Sequence, residues 1–212
     1  MVEQDNLRNQ IVDYCRELFA NRRDTEDSGN ISVLMSDNTV LMTPNSSHEK
    51  RQPQRLSLMS LEGQLLSGDK PQWDIESHLS IYRINPQYRA IVSMRSKHIS
   101  RLADNENLNP ENVLPAFAPF VSMRTSILPC ISVADHNDAS SEFYLLAEKA
   151  RQHHAVLTTN VGLVVMGEDL QNAMHNVEEL EETAALRLQS LNENLQYLSN
   201  EEIAEIHAVF AH

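Results

Sequence analysis

The chain has 212 residues, 41% of them hydrophobic and 22% charged, which is enough to bury one apolar core without disulfides or metal. Thirty acidic residues against 17 Lys and Arg give a formal net charge of −13, a field that repels nucleic acid and anionic lipid and argues against a general phosphate-backbone binder. A small anionic ligand in a local cationic pocket is still compatible with that charge.

The two cysteines, Cys15 and Cys130, stand in separate apolar contexts, so two buried reduced thiols are expected and not a zinc ribbon or a redox pair. The polar start, Met1-Val2-Glu3-Gln4-Asp5-Asn6, is unlike a secretory signal, and no apolar run has bilayer-spanning length. A cytoplasmic protein is the expectation.

In chain order, Leu7, Ile11, Val12, Cys15, Leu18 and Phe19 recur at helical spacing, and the polar run 24–29 ends that helix. Ile31 to Met35 and Thr39 to Met42 read as a hairpin around Ser36-Asp37-Asn38. Residues 45–55 read as a loop, and Leu56, Leu58 and Leu61 lead through Glu62-Gly63 into Gln64-Leu65-Leu66 as a second hairpin. Ile75, Leu79 and Tyr82 share a helical face, which Asn85-Pro86 terminates.

Arg89 to Met94 is a predicted strand, followed by a helix carrying Ile99 and Leu102. The proline-rich stretch 104–120 is irregular, and Ile127 to Val133 is a further strand. Ser140 to Ala150 reads as a helix, and His154 to Thr159 and Gly162 to Met166 as strands. Leu170, Ala173, Met174, Val177, Leu180, Ala184, Leu188 and Leu191 form the apolar stripe of a long helix beginning near Glu168. Ser199-Asn200-Glu201-Glu202 is a capping box that opens a last helix through Ile203, Ile206 and Val209. Together these elements predict one mixed α/β domain over residues 1–212, a central, mostly antiparallel sheet covered by helices.

Several phrases occur in an order that resembles the class II aldolase/adducin family, whose enzymes include fuculose-phosphate aldolases and ribulose-phosphate epimerases. They are Ser28-Gly29-Asn30-Ile31-Ser32-Val33, Leu41-Met42-Thr43-Pro44, His78-Leu79-Ser80-Ile81-Tyr82 with Asn85-Pro86, Ala155-Val156-Leu157 through Asn160 and Gly162, Gly167-Glu168-Asp169-Leu170, and Leu198 to Ile203. The resemblance spans residues 7 to 209 and implies the family's three-layer fold.

It also implies site positions. In the family's enzymes a divalent ion is held by three histidines, and the matching positions here are Ser93, Arg95 and Val161. A neutral imidazole offers the ion a lone pair, whereas serine is a poor ligand, valine has no donor and guanidinium repels a cation. The family's catalytic acid corresponds to Asp74. Gly29, Asn30 and Thr43 keep the phosphate-side pattern, while Gln72 and Trp73 replace two serines and Ser46, after Asn45, replaces a glycine.

The ion serves as a Lewis acid for an enediolate, and without it several kcal/mol of stabilisation must come from elsewhere. Arg95 is expected to enter the vacated position and pair with Asp74, the alternative being that it reaches solvent or pairs with an unrelated acid, and Trp73 either fills the phosphate cavity or stacks on a ligand, the filler being favoured. His48, His78, His98, His153, His154 and His175 are the remaining candidates for a relocated metal site, with structural roles preferred.

The expected function is therefore a non-catalytic family member that binds a small anionic ligand or a protein partner, with no cofactor. The alternative is a lyase, decarboxylase or epimerase on a small sugar phosphate or sugar acid, with Asp74 as acid/base and Arg95 as electrophile. The resemblance further implies a homo-oligomer, commonly a tetramer, with no nucleic-acid or membrane partner.

Overall fold

A computed structural model describes residues 2–19, 29–45, 52–103, 109, 111–114, 128–131, 139–159, 161–191 and 196–210. Ser28, Ser46, His48 and Asn160 lie outside the described residues, as does most of the stretch 104–127. The described strands form one eight-stranded sheet in the order β4-β3-β2-β1-β5-β8-β7-β6. They are β1 (Gly29–Leu34), β2 (Thr39–Met42), β3 (Ser57–Ser60), β4 (Leu65–Ser67), β5 (Ala90–Met94), β6 (Cys130–Ile131), β7 (Ala155–Thr158) and β8 (Gly162–Gly167). Only the β6–β7 pair is parallel, which fits the expected mixed class with mostly antiparallel pairing.

The helices are α1 (Val2–Phe19), α2 (Ile75–Ile84), α3 (Lys97–Ala103), α4 (Ala139–Lys149), α5 (Leu170–Gln189) and α6 (Asn200–Phe210). Strand side chains alternate between faces, so each central strand feeds two cores. On one face Ile31, Val33, Val92, Leu163 and Val165 pack with Ile11 and Cys15 of α1, Ile99 of α3 and Val177 of α5. On the other, Val40, Met42, Ile91, Val164 and Met166 pack with Leu79 and Tyr82 of α2 and Leu146 of α4. Three layers result, and β1, β5 and β7 are buried along their whole length because helices cover both faces. Each fully buried aliphatic side chain contributes about 1.5–3 kcal/mol relative to exposure.

The expected hairpins and long helix form with small shifts, whereas of the strand expected over Ile127 to Val133 the described part is Cys130–Ile131, with 127, 132 and 133 outside the described residues. The long helix starts at Leu170, after Asp169 accepts the backbone N–H of Asn172 (2.7 Å) as an N-cap. Its stripe ends sooner than expected, since Leu191 is exposed. At α6 the capping box closes reciprocally, Ser199 N–H donating to Glu202 (2.8 Å) and Glu202 N–H to Ser199 Oγ (3.2 Å). Cys15 is buried as expected, whereas Cys130 is half-buried at the β6 edge. Among the described residues no helix is long and apolar enough to cross a membrane.

Two features place one end of the sheet. The register pairs Gly29 with Met94 and Met94 with Leu163, so the start of β1, the end of β5 and the start of β8 meet there. Gly162 lies at φ 97°, and an added Cβ would sit 2.6 Å from the Met94 carbonyl oxygen. Gly162→Ala therefore forces both a left-handed backbone and a backbone clash. Its expected cost is about 3 kcal/mol, a drop in melting temperature of about 6–12 °C in a thermal unfolding scan.

Candidate active site

The central strands are apolar except at Asn30, Ser32 and Ser93, and all three polar side chains are buried. The register sets Asn30 opposite Ser93 and Ser32 opposite Ile91, so the three face one side, toward α2. Along α2 the residues Asp74, His78 and Tyr82 recur every four positions, which stacks them on one face of the helix. The two polar rows meet and form a buried seam.

At the seam's open end lies Asp74, 5% exposed. Asn30 donates its Nδ2–H to Oδ1 at 2.9 Å, and Ser93 Oγ donates to Oδ2 at 3.1 Å. Behind Asn30, the Thr43 hydroxyl donates to Asn30 Oδ1 and accepts the Ile31 backbone N–H (3.1 Å). Gln72, also buried, donates to the Gly29 carbonyl (3.4 Å). Both of these donors to the carboxylate, Asn30 and Ser93, are neutral. Asp74 sits at the N-cap position of α2 and its side chain makes no cap hydrogen bond. Forgoing an aspartate cap costs a helix about 1 kcal/mol, so the carboxylate is held toward the sheet at the helix's expense.

One turn further along, Ser32 Oγ lies 2.7 Å from His78 Nδ1 and 2.8 Å from the Tyr82 oxygen, and the Tyr82 hydroxyl donates to the Ser32 carbonyl (3.0 Å). His78 Nε2 is buried with no hydrogen-bond partner among the described residues. Burial pushes the His78 imidazole down to about 4, against the opposing pull of the Asp74 charge. Burial likewise pushes the Tyr82 hydroxyl up.

The structure thus brings Gly29, Asn30, Thr43, Asp74 and Ser93 together, as the sequence implied. His78 has the structural role expected of it, while the part that Ser32 and Tyr82 play beside it in holding α2 against β1 was missed, though the four-residue polar spacing carried its signal. Arg95 follows β5 and is solvent-exposed, while both oxygens of Asp74 take their bonds from Asn30 and Ser93. Trp73 is 57% exposed beside Asp74, which corrects the cavity-filler reading and leaves the ring at the surface. Val161 is buried in the apolar cluster shared with α2 and α4, its N–H donating to Thr158 Oγ1 (3.0 Å).

Three of the other candidate histidines have separate partners. His98 pairs with Glu181 (2.9 Å), His154 with the Tyr88 hydroxyl (3.2 Å) and His175 with Glu179 (3.8 Å). Among the described residues no group of three His, Cys, Asp or Glu side chains is placed to hold an ion. The three positions that correspond to the family's ligands do not fit a divalent ion either. Ser93 spends its hydroxyl on Asp74, Val161 offers hydrocarbon, and Arg95 carries a positive charge. Two unit charges about 4 Å apart near a protein surface repel by about 4 kcal/mol, and a divalent ion doubles that.

Residues 9–188 match the model of the Class II Aldolase and Adducin N-terminal domain. A protein of Escherichia coli (strain K12) named 3-oxo-tetronate 4-phosphate decarboxylase is 38% identical over 206 residues, 97% of this chain and 96% of that protein. A protein of the same name from Pectobacterium atrosepticum is 36% identical over 96% of this chain and 93% of its own length. The crystal structure of YgbL from Klebsiella pneumoniae superposes with a TM-score of 0.87 at 34% identity, covering 96% of this chain and 98% of that one. These full-length relatives overturn the expectation of a non-catalytic protein. Three substituted ligand positions had carried that expectation, and they say nothing of the chemistry the remaining site can do.

The His78 seam makes a pH prediction. Between about pH 4 and pH 6.5 the unfolded chain binds a proton at this imidazole that the folded chain refuses. Stability therefore rises with pH across that window and is lost as pH falls through it. Denaturant unfolding at pH 7 and pH 5 should show wild type losing about 2 kcal/mol more than His78→Gln over that step.

Proposed function

We propose that this chain, which belongs to the class II aldolase and adducin family, is an enzyme that decarboxylates a small phosphorylated 3-oxo sugar acid. The observation that carries the reading is the full-length similarity to 3-oxo-tetronate 4-phosphate decarboxylases, with a buried carboxylate retained at the head of the site. Asp74 is the N-cap residue of α2, set against the Gly29–Asn30 end of β1, and it is fixed at both oxygens. A group held this firmly transfers a proton to one place.

A 3-oxo acid suits such a site. The bond between C1 and C2 breaks, its electron pair moves into C2–C3, and negative charge gathers on the C3 oxygen as carbon dioxide leaves. A proton from solvent then replaces the carboxyl group at C2, and Asp74 is the relay. The guanidinium of Arg95 takes the role of the cation that faces the substrate's carboxylate and the developing oxyanion. Gly29, Asn30 and Thr43 line the side that receives the phosphate, where the N-terminal end of α2 adds a favourable dipole. Trp73, exposed at the rim, contacts the sugar chain instead of filling the pocket. The homo-oligomer implied by the sequence belongs to this proposal as well.

Purified protein given 3-oxo-tetronate 4-phosphate should release carbon dioxide. Asp74→Asn should lower kcat by about 10²–10⁴-fold, and Arg95→Ala should act mainly by raising KM. Absence of carbon dioxide release, or an Asp74→Asn variant as fast as the parent, rejects the reading.

A further inference from the structure

We infer that this site works without a divalent ion, the neutral cluster around Asp74 and the charge of Arg95 standing where an ion would sit. The inference rests on the decarboxylase reading for its chemistry, but the structure of the site supplies its argument.

A metal site needs deprotonated or neutral donors whose lone pairs point at one spot. Here the spot is closed by bonds among the protein's own groups. Asn30 and Ser93 are cross-strand neighbours, and each gives a hydrogen to one oxygen of Asp74. Asn30 Oδ1 is engaged in turn by Thr43, whose hydroxyl is fixed by the Ile31 N–H. An ion ligated by Asp74 would have to displace Ser93 from Oδ2, and Ser93 would then be a weak ligand in its place. Val161 is held in the apolar layer with its backbone turned to Thr158.

Arg95 adds an independent constraint. Arg95 directly follows Met94, the last residue of β5, so its positive charge is carried at this end of the sheet. The built Cβ of Gly162 would lie 3.3 Å from the Arg95 Cα, which places Arg95 against the turn that holds Val161. A positive charge at this end opposes a second one and, on this inference, does part of an ion's work.

The chemistry permits the exchange. A 3-oxo acid already carries its electron sink next to the breaking bond, so the catalyst must stabilise one developing oxyanion. Hydrogen-bond donors and a guanidinium do this at fixed positions, with no change of ligation during turnover. The consequence is a decarboxylase indifferent to chelators.

The test reads metal content first, because that result does not depend on turnover. The full chain is incubated with zinc and with manganese, desalted, and analysed by mass spectrometry for metal. Trace metal and no shift in melting temperature are expected. One equivalent per chain, removed by EDTA, overturns the inference. A variant carrying Ser93→His, Arg95→His and Val161→His, with a circular dichroism spectrum matching the parent, should gain one zinc equivalent. Failure of that folded variant to gain zinc means these positions do not surround an ion site, and it overturns the inference as well.

Carbon dioxide release by the parent should be unchanged in EDTA, whereas loss on chelation with recovery on added zinc overturns the proposal. If the chain turns over no 3-oxo acid at all, the functional reading fails and the metal analysis still decides this one.

Discussion

The structure depends on a polar seam buried between α2 and the centre of the sheet. Asp74, His78 and Tyr82 on the helix meet Asn30, Ser32 and Ser93 on β1 and β5. A buried polar group left without a partner costs about 1–3 kcal/mol, so the seam is favourable only in the arrangement that satisfies its members. An apolar helix face could slide along an apolar sheet at little cost. This one cannot, because a shift by one residue would separate each of these bonds. The seam fixes where α2 begins relative to the strand ends, and hence where Asp74 stands. The unpartnered Nε2 of His78 shows that the fit is not complete, and burial keeps that imidazole neutral at physiological pH.

Much of the fold was legible because its signals are local. The spacing of Ile11, Val12 and Cys15, the stripe from Leu170 to Ala184, and the turn residues around Asp37 each imply a structure from neighbours in sequence alone. The edge of the sheet was legible too, since short β4 with exposed Leu65 and Leu66 follows an obvious turn. The seam was less so. Reading the second helix for apolar residues finds Ile75, Leu79 and Tyr82, and it passes over Asp74 and His78. Polar residues inside strands that are otherwise buried signal a partner on the covering helix, but which helix covers them is a long-range fact. The sequence separations in question run from 44 to 50 residues for the bonds of Asn30 and Ser32.

Trp73 went wrong for a related reason. A large aromatic at a position expected to be small suggests a filled cavity, because burial is the usual fate of an indole. Exposure depends instead on which way the turn before α2 directs the side chain, and the residues on either side, Gln72 and Asp74, take the two buried places. Alternation around a tight turn leaves the middle residue outside. The functional error was of another kind. Substituted ligand positions were weighed as loss of activity, whereas the scaffold, the retained acid and the phosphate-side residues remain in one cluster.

On the proposed reading the substrate is an anion, and an acidic chain can hold one where nearby charges and dipoles outweigh the net charge. The chain's −13 charge sets a repulsive background, but solvent and salt screen exposed charges beyond about 8–10 Å. Inside the site the nearby terms decide: the N-terminal end of α2 and, on the proposed reading, the charge of Arg95. Asp74 opposes them, yet its oxygens are turned to Asn30 and Ser93, so those donors already absorb part of its field. Neutral donors at fixed positions reorganise little when a charge moves from substrate carboxylate to ketone oxygen, which is the only large charge movement in the loss of carbon dioxide from a 3-oxo acid.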